Sequence, residues 1–155
     1  MPLNELNHFM VVCKDLETSM RFYRDLLGME IADRPDFGFP GYWLKIGDHT
    51  CVHLASQEQS ANRDRYLLKE HPPGTTGSGS VDHIAFVASQ PKVVRERLRN
   101  GNAQIHYRSL PDSKLFQMFL KDPDGLTIEL NFFGEIINAD DWTAEDAVSN
   151  FVRTR

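Results

Sequence analysis

Three histidines and one glutamate stand out against the apolar stretches that carry them: His8 in Leu6 to Cys13, His53 in Thr50 to Ala55, His83 in Asp82 to Ala88, and Glu129 in Leu126 to Phe132. Side chains of an extended chain alternate between faces. His8 should therefore share a face with Met10 and Val12, His53 with Cys51 and Ala55, and Glu129 with Thr127 and Asn131. A polar group embedded in such a strand carries a desolvation cost unless it finds a partner. A divalent cation is a partner that all four can share. Three imidazoles and a carboxylate suit Zn²⁺, Fe²⁺, Mn²⁺, Ni²⁺ or Co²⁺ and suit Mg²⁺ or Ca²⁺ poorly, so the expected cofactor is one divalent transition-metal ion. Taken singly, a strand histidine is more often a hydrogen-bonded core or surface residue than a ligand. The spacing changes that balance: His8 and His53 are 45 residues apart, His83 and Glu129 46. His49, His71 and His106 have no partner at a matching position and are expected in surface or loop roles. Cys51 belongs in the wall of the cavity, and Cys13, an odd number of residues from His8, faces away.

The elements that must position these residues occur twice in the same order. After the first strand, Asp15 is a helix N-cap, Leu16, Met20, Tyr23 and Leu27 fall at helical spacing, and Gly28 closes the helix. Extended pieces follow at Met29 to Ala32, Tyr42 to Ile46 and Thr50 to Ala55. The second half repeats this with a helix opened by Gln90-Pro91 and closed by Gly101, then strands at Ala103 to Tyr107, Leu115 to Lys121 and Leu126 to Phe132. Asp122-Pro123-Asp124-Gly125 marks the turn before the last strand. Two such copies are too few to stack as an array. The expected fold is α+β, two βαβββ modules at about 6–55 and 82–133 forming a curved mixed sheet around a metal cavity within a domain 1–134. Residues 56–81 join the modules as a linker or a lid, with a short helix from Asn62 to His71 and a Pro/Gly/Ser-rich end. The tail 135–155 carries an amphipathic helix, Asp141 to Arg155, whose apolar members are Trp142, Ala147, Val148 and Phe151. It is expected to pack on the outside of the domain or on a partner subunit.

With 41% hydrophobic and 25% charged residues, the chain has the profile of a globular protein rather than a disordered one. A formal net charge of −5 leaves no broad basic surface for nucleic acid. No apolar run approaches the roughly 18–20 residues of a membrane span, and Met1-Pro2-Leu3-Asn4-Glu5 does not open a signal peptide. Two cysteines are not a disulfide framework, which points to a reduced, cytoplasmic setting. Arg24, Arg34, Lys45, Arg63, Arg65, Arg108 and Lys121 are expected to be solvated surface charges.

Leu6-Asn7-His8-Phe9, Asp15-Leu16-Glu17-Thr18-Ser19, Phe22-Tyr23, Leu27-Gly28, Asp82-His83-Ile84-Ala85-Phe86 and the run Asp122 to Leu130 together resemble the vicinal oxygen chelate superfamily. That group includes glyoxalase I, fosfomycin-resistance proteins, extradiol dioxygenases and bleomycin-resistance proteins. The resemblance implies metal ligation by His8, His53, His83 and Glu129, and a small-molecule substrate bound through two neighbouring oxygens. It also implies a homodimer. The segment Phe37 to Leu44 with Val52-His53-Leu54 is similar to glyoxalase-like proteins, which implies a lyase or isomerase. Glyoxalase I carries glutamate where His53 stands, so Glu129 is the implied catalytic base. The alternatives are an extradiol-type dioxygenase of catechols, a fosfomycin-type epoxide-opening transferase, and a non-catalytic bleomycin-type binding protein. Phe119 replaces the usual dioxygenase tyrosine, and Met10 the usual fosfomycin-enzyme threonine.

Overall fold

A computed structural model describes residues 6–68 and 74–152 of the chain. His71, Pro72, Pro73, residues 153–155 and the side chains of Val148 and Phe151 lie outside the described residues. By contacts, the chain forms two compact units. One runs to Gly77 and includes Asp122–Gly125; the other takes Ser78–Lys121 and everything from Leu126 onward.

The first unit contains β1 (Phe9–Cys13), α1 (Leu16–Arg21), β2 (Glu30–Ala32), β3 (Gly41–Ile46), β4 (His49–Ser56) and α2 (Ala61–Leu67). Its sheet has the order β1-β4-β3-β2, with β1 parallel to β4 and the other pairs antiparallel. The second unit contains β5 (His83–Val87), α3 (Pro91–Asn100), β6 (His106–Leu110), β7 (Leu115–Lys121), β8 (Thr127–Phe133) and α4 (Ala139–Val152). Its sheet order, β5-β8-β7-β6, and its pairing senses repeat those of the first. The fold is thus α+β, built from two four-stranded mixed sheets with helices.

Local chemistry accounts for the element ends. Asp15 caps α1 by accepting from the Thr18 N–H at 2.9 Å. The helix then widens into one π-helical turn, Phe22–Leu26, and Gly28 leaves it at φ 78°. In the second unit the expected strand at Ala103 to Tyr107 forms later, as β6. The reason is the exit from α3. Gly101 keeps φ −82°, and Asn102 takes the left-handed turn instead, at φ 57°. The Ala103 N–H still donates to the Leu98 carbonyl at 2.9 Å, so residues 101–103 are used in closing the helix.

One face of each sheet is apolar. Cys13, Leu44, Val52, Leu54 and Tyr23 are fully buried in the first unit, where α1 packs on β4. Leu98, Phe116, Met118, Ile128 and Phe132 are fully buried in the second. Each such side chain stabilises by about 1.5–3 kcal/mol. The tail helix α4 begins at Ala139, earlier than expected, and packs against β6 of its own unit. Its anchor is Trp142, edge-on to Phe116 at 5.0 Å between ring centroids, while Ala147 is exposed. The Arg95 guanidinium lies over the Trp142 ring at 4.6 Å and pairs with Asp146 at 2.6 Å.

Arg63 corrects the expectation of surface charge. It is 1% exposed, and its Nη1 donates to the Ser56 and Glu58 carbonyls at 2.7 and 2.9 Å. Its Nη2 reaches Asp64 Oδ1 at 2.7 Å. The guanidinium satisfies backbone carbonyls where the chain turns from β4 into α2, a role that a composition-based reading of arginine misses.

Asp122 and Asp124 of the turn before β8 are both buried and belong to the first unit. Asp124 accepts from the Lys14 N–H at 2.7 Å and the Ser19 hydroxyl at 2.5 Å, and Asp122 from the Tyr23 hydroxyl at 2.8 Å. Burial, and then the Asp122 carboxylate, push the Tyr23 phenol well above its usual range. Asp124→Ala strands the buried Ser19 hydroxyl and the partly buried Lys14 N–H, and is expected to lower the unfolding free energy by about 2 kcal/mol. A urea titration reads this as a fall in midpoint at constant slope; an unchanged midpoint would show that the turn contributes no stability.

Candidate metal centre

The two sheets place the four candidate residues at corresponding points. In the first sheet Met10 of β1 lies beside His53 of β4, and His8 precedes Met10 by two. In the second, Ala85 of β5 lies beside Glu129 of β8, and His83 precedes Ala85 by two. Each pair is therefore a diagonal across a parallel strand pair. The strand on the other side repeats too: Trp43 is the cross-strand neighbour of His53, and Phe119 that of Glu129.

Within the first unit, the His8 and His53 rings stack at 3.8 Å between centroids, and Trp43 stacks on the other face of His53 at 4.3 Å. His53 is 5% exposed. Among the described residues, its Nδ1 is the buried side-chain polar atom with no hydrogen-bond partner. Desolvation, then the neighbouring His8 and Arg34, push the His53 imidazole down to about 4. The ring is thus neutral near pH 7, the form in which imidazole offers a lone pair to a metal.

Within the second unit, His83 Nε2 stands 3.2 Å from Glu129 Oε2, and His83 Nδ1 is 2.8 Å from Asp82 Oδ2. If the neutral ring donates its Nδ1–H to Asp82, the Nε2 lone pair faces a carboxylate oxygen. Two electron-pair donors in that relation are held together by a cation or a proton. His8 repeats the arrangement, with Nδ1 2.6 Å from Asn7 Oδ1. In both halves the preceding residue engages Nδ1 and leaves Nε2 to act.

The structure therefore brings His8 to His53 and His83 to Glu129. Among the described residues, no three His, Cys, Asp or Glu side chains converge on one centre. The donor types in each pair, imidazole nitrogen and carboxylate oxygen, are ones that a first-row divalent ion takes.

Three neighbours were not singled out by sequence spacing. Trp43 flanks His53. Gln117, 4% exposed, donates to Glu129 Oε1 at 2.7 Å. His106, expected in a surface or loop role, lines a cleft of about 320 Å³ in the second unit together with Phe119, Lys121 and Thr127. Gln117 carried a usable signal, a polar residue between Phe116 and Met118 of an otherwise apolar strand. Cys51 is half-buried, and Cys13 is buried with its thiol pushed up, chiefly by desolvation.

Comparison with known proteins adds the family. The family model for the Glyoxalase/Bleomycin resistance protein/Dioxygenase superfamily matches residues 5–130. The chain is 30% identical to Glyoxylase I 4 of Arabidopsis thaliana over 132 residues, covering 83% of this chain and 70% of that protein. It is 27% identical to a lactoylglutathione lyase of Pseudomonas putida over 146 residues, covering 80% and 82% of the two. The crystal structure of a lactoylglutathione lyase from Agrobacterium tumefaciens superposes with a TM-score of 0.62 at 21% identity, covering 84% of this chain and 95% of that one. With a match spanning most of its length and a duplicated βαβββ architecture, the chain belongs to the Glyoxalase/Bleomycin resistance protein/Dioxygenase superfamily.

Proposed function

We propose that the chain is a metal-dependent enzyme of glyoxalase type, a lyase or isomerase acting on a small molecule that presents two neighbouring oxygens. The observation that carries this reading is the buried, unpartnered Nδ1 of His53 beside the stacked His8 ring. An unsatisfied buried nitrogen costs about 1–3 kcal/mol, which a bound cation offsets. His8, His53, His83 and Glu129 would hold the ion, the two pairs coming from one chain or from two chains of a homodimer. When bound, the ion supplies Lewis-acid polarisation of the substrate oxygens. Glu129 takes a proton from the carbon beside a carbonyl and returns it to the neighbouring carbon, a task suited to a carboxylate. Phe119, its cross-strand neighbour, offers an apolar surface beside it. The relatives named for lactoylglutathione support a thiol-derived hemithioacetal as the first substrate to try. No helix among the described residues is long and apolar enough to cross a membrane. The two free cysteines support action in a reducing cytoplasm.

The test combines binding and turnover. Zn²⁺, Mn²⁺, Ni²⁺, Co²⁺ or Fe²⁺ at about 100 times its dissociation constant should stabilise the metal-stripped protein by about 3 kcal/mol, a rise in melting midpoint of roughly 5–10 °C. A glutathione hemithioacetal should then be consumed. No midpoint shift with any of these ions would overturn metal dependence. Ring cleavage of a catechol under air with Fe²⁺, or thiol addition to fosfomycin, would move the chain to the corresponding reaction class.

A further inference from the structure

Gln117 occupies a position that neither the metal ligands nor the apolar core accounts for. It is 4% exposed in the middle of β7, and both ends of its amide are engaged. Its Oε1 accepts from Arg108 Nε at 2.6 Å. Its Nε2 donates to Glu129 Oε1 and to Asn131 Oδ1, each at 2.7 Å. Arg108 on β6 and Asn131 on β8 are its direct cross-strand neighbours, and Glu129 sits one diagonal away.

The chemistry of these partners leaves one orientation. Arginine carries donors only, so the Gln117 atom facing Arg108 must be the carbonyl oxygen. The Glu129 carboxylate only accepts, so the atom facing it must be the amide nitrogen. Both amide hydrogens are then used, one on Glu129 and one on Asn131. Arg108 is itself held, its guanidinium lying over the Phe119 ring at 4.8 Å.

We infer that Gln117, locked by Arg108, is a positioning residue for Glu129: it holds Oε1 so that Oε2 alone is presented toward His83 and the ion. The inference rests on Glu129 being a metal ligand, as proposed above. A glutamate carboxylate is otherwise free to turn about its last torsion, whose energy profile is broad. A bond to one oxygen fixes that torsion and disfavours two-oxygen binding to a metal. Outer partners of this kind typically govern metal affinity by 10–100-fold. A purely structural role would consist only in satisfying buried polar atoms, and it would affect folding without altering the coordination of the ion.

Co²⁺ titration separates the two roles, because its visible absorption reports coordination number as well as affinity. Gln117→Met, similar in length but unable to hydrogen-bond, is expected to bind Co²⁺ about 10–100-fold more weakly with altered band intensities. Arg108→Met, which leaves Gln117 in place but unlocks its amide, is expected to weaken binding about 3–10-fold, less than the roughly 10–100-fold typical of a direct outer partner because it acts one residue further from the ion. It serves as the deciding variant if Gln117→Met folds poorly. Wild-type affinity and spectrum in the folded variants, alongside a Glu129→Gln control that loses both, would overturn the inference even if the metal-free proteins melt earlier. A Glu129→Gln control that binds Co²⁺ like the wild type would instead remove the metal reading itself, and the inference with it.

Discussion

Glu129→Gln is expected to reduce turnover of a hemithioacetal by about 10³-fold and to weaken divalent-metal binding by at least 100-fold. The substitution changes the shape of the side chain little, yet it removes a charge, a metal-binding oxygen and the group assigned to proton transfer. General acid–base catalysis by a positioned group contributes about 10²–10⁴-fold, and loss of a ligand should exceed the 10–100-fold typical of an outer partner. The amide also brings two donors to a place where Gln117 Nε2 already donates at 2.7 Å and His83 Nε2 approaches at 3.2 Å. The carboxamide must therefore turn its oxygen to Gln117 and its NH₂ toward His83. Folding should be largely kept, since the NH₂ can donate to a neutral His83 Nε2. Steady-state kinetics with saturating metal separate the two losses: a fall in kcat that excess metal does not rescue reports the lost base, and the part that it rescues reports the lost ligand. Near-wild-type turnover in this variant would remove Glu129 from both roles.

The pairing of His8 with His53 and of His83 with Glu129 was legible in the sequence because both halves obey the same strand arithmetic. The near-equal spacings from His8 to His53 and from His83 to Glu129 hold because each unit pairs its first strand with its last in parallel. The register then places His8 and His83 two residues before the neighbours of His53 and Glu129. Asn7 and Asp82 were visible only as parts of a motif. The structure shows their physical role, since each engages the Nδ1 of the following histidine.

What sequence did not reveal depends on which partner each side chain meets. Arg63 reads as a solvated cation by composition, and only the bend between β4 and α2 gathers the carbonyls that bury it. Gln117 is one polar residue in an apolar strand, but its orientation follows from Arg108 and Asn131 on two different neighbouring strands. His106 reaches the cleft because β6 pairs it with Phe119 of β7, which lines the same cleft. In each case the pattern along the chain set the element, and the partner came from a strand distant in sequence.

His53→Phe is expected to flatten the acid sensitivity of the metal-free protein while abolishing high-affinity metal binding. The folded imidazole is held at about 4 against an ordinary value of 6.5, first by desolvation and then by His8 and Arg34. Between those two pH values the unfolded chain takes up a proton that the folded chain refuses, so stability must fall as the pH is lowered through this window. The contribution is complete above pH 6.5 and is lost progressively toward pH 4. At 1.36 kcal/mol per unit, the loss attributable to this one ring is about 3 kcal/mol. Phenylalanine keeps a flat ring between His8 and Trp43, 3.8 and 4.3 Å from the stacked neighbours in the wild type, and brings no titrating or unpartnered nitrogen. Chemical denaturation of both metal-stripped proteins from pH 7.5 to 4 should therefore show two curves that diverge below pH 6.5, with the variant the more stable on the acid side. Titrating groups that do not touch His53 act on both chains and cancel in the difference; His8, stacked on that ring, is the exception. Parallel curves would mean that the His53 ring takes up its proton as readily in the folded chain as in the unfolded one, and a buried, lone-pair-bearing nitrogen could then no longer be the basis for placing a metal there.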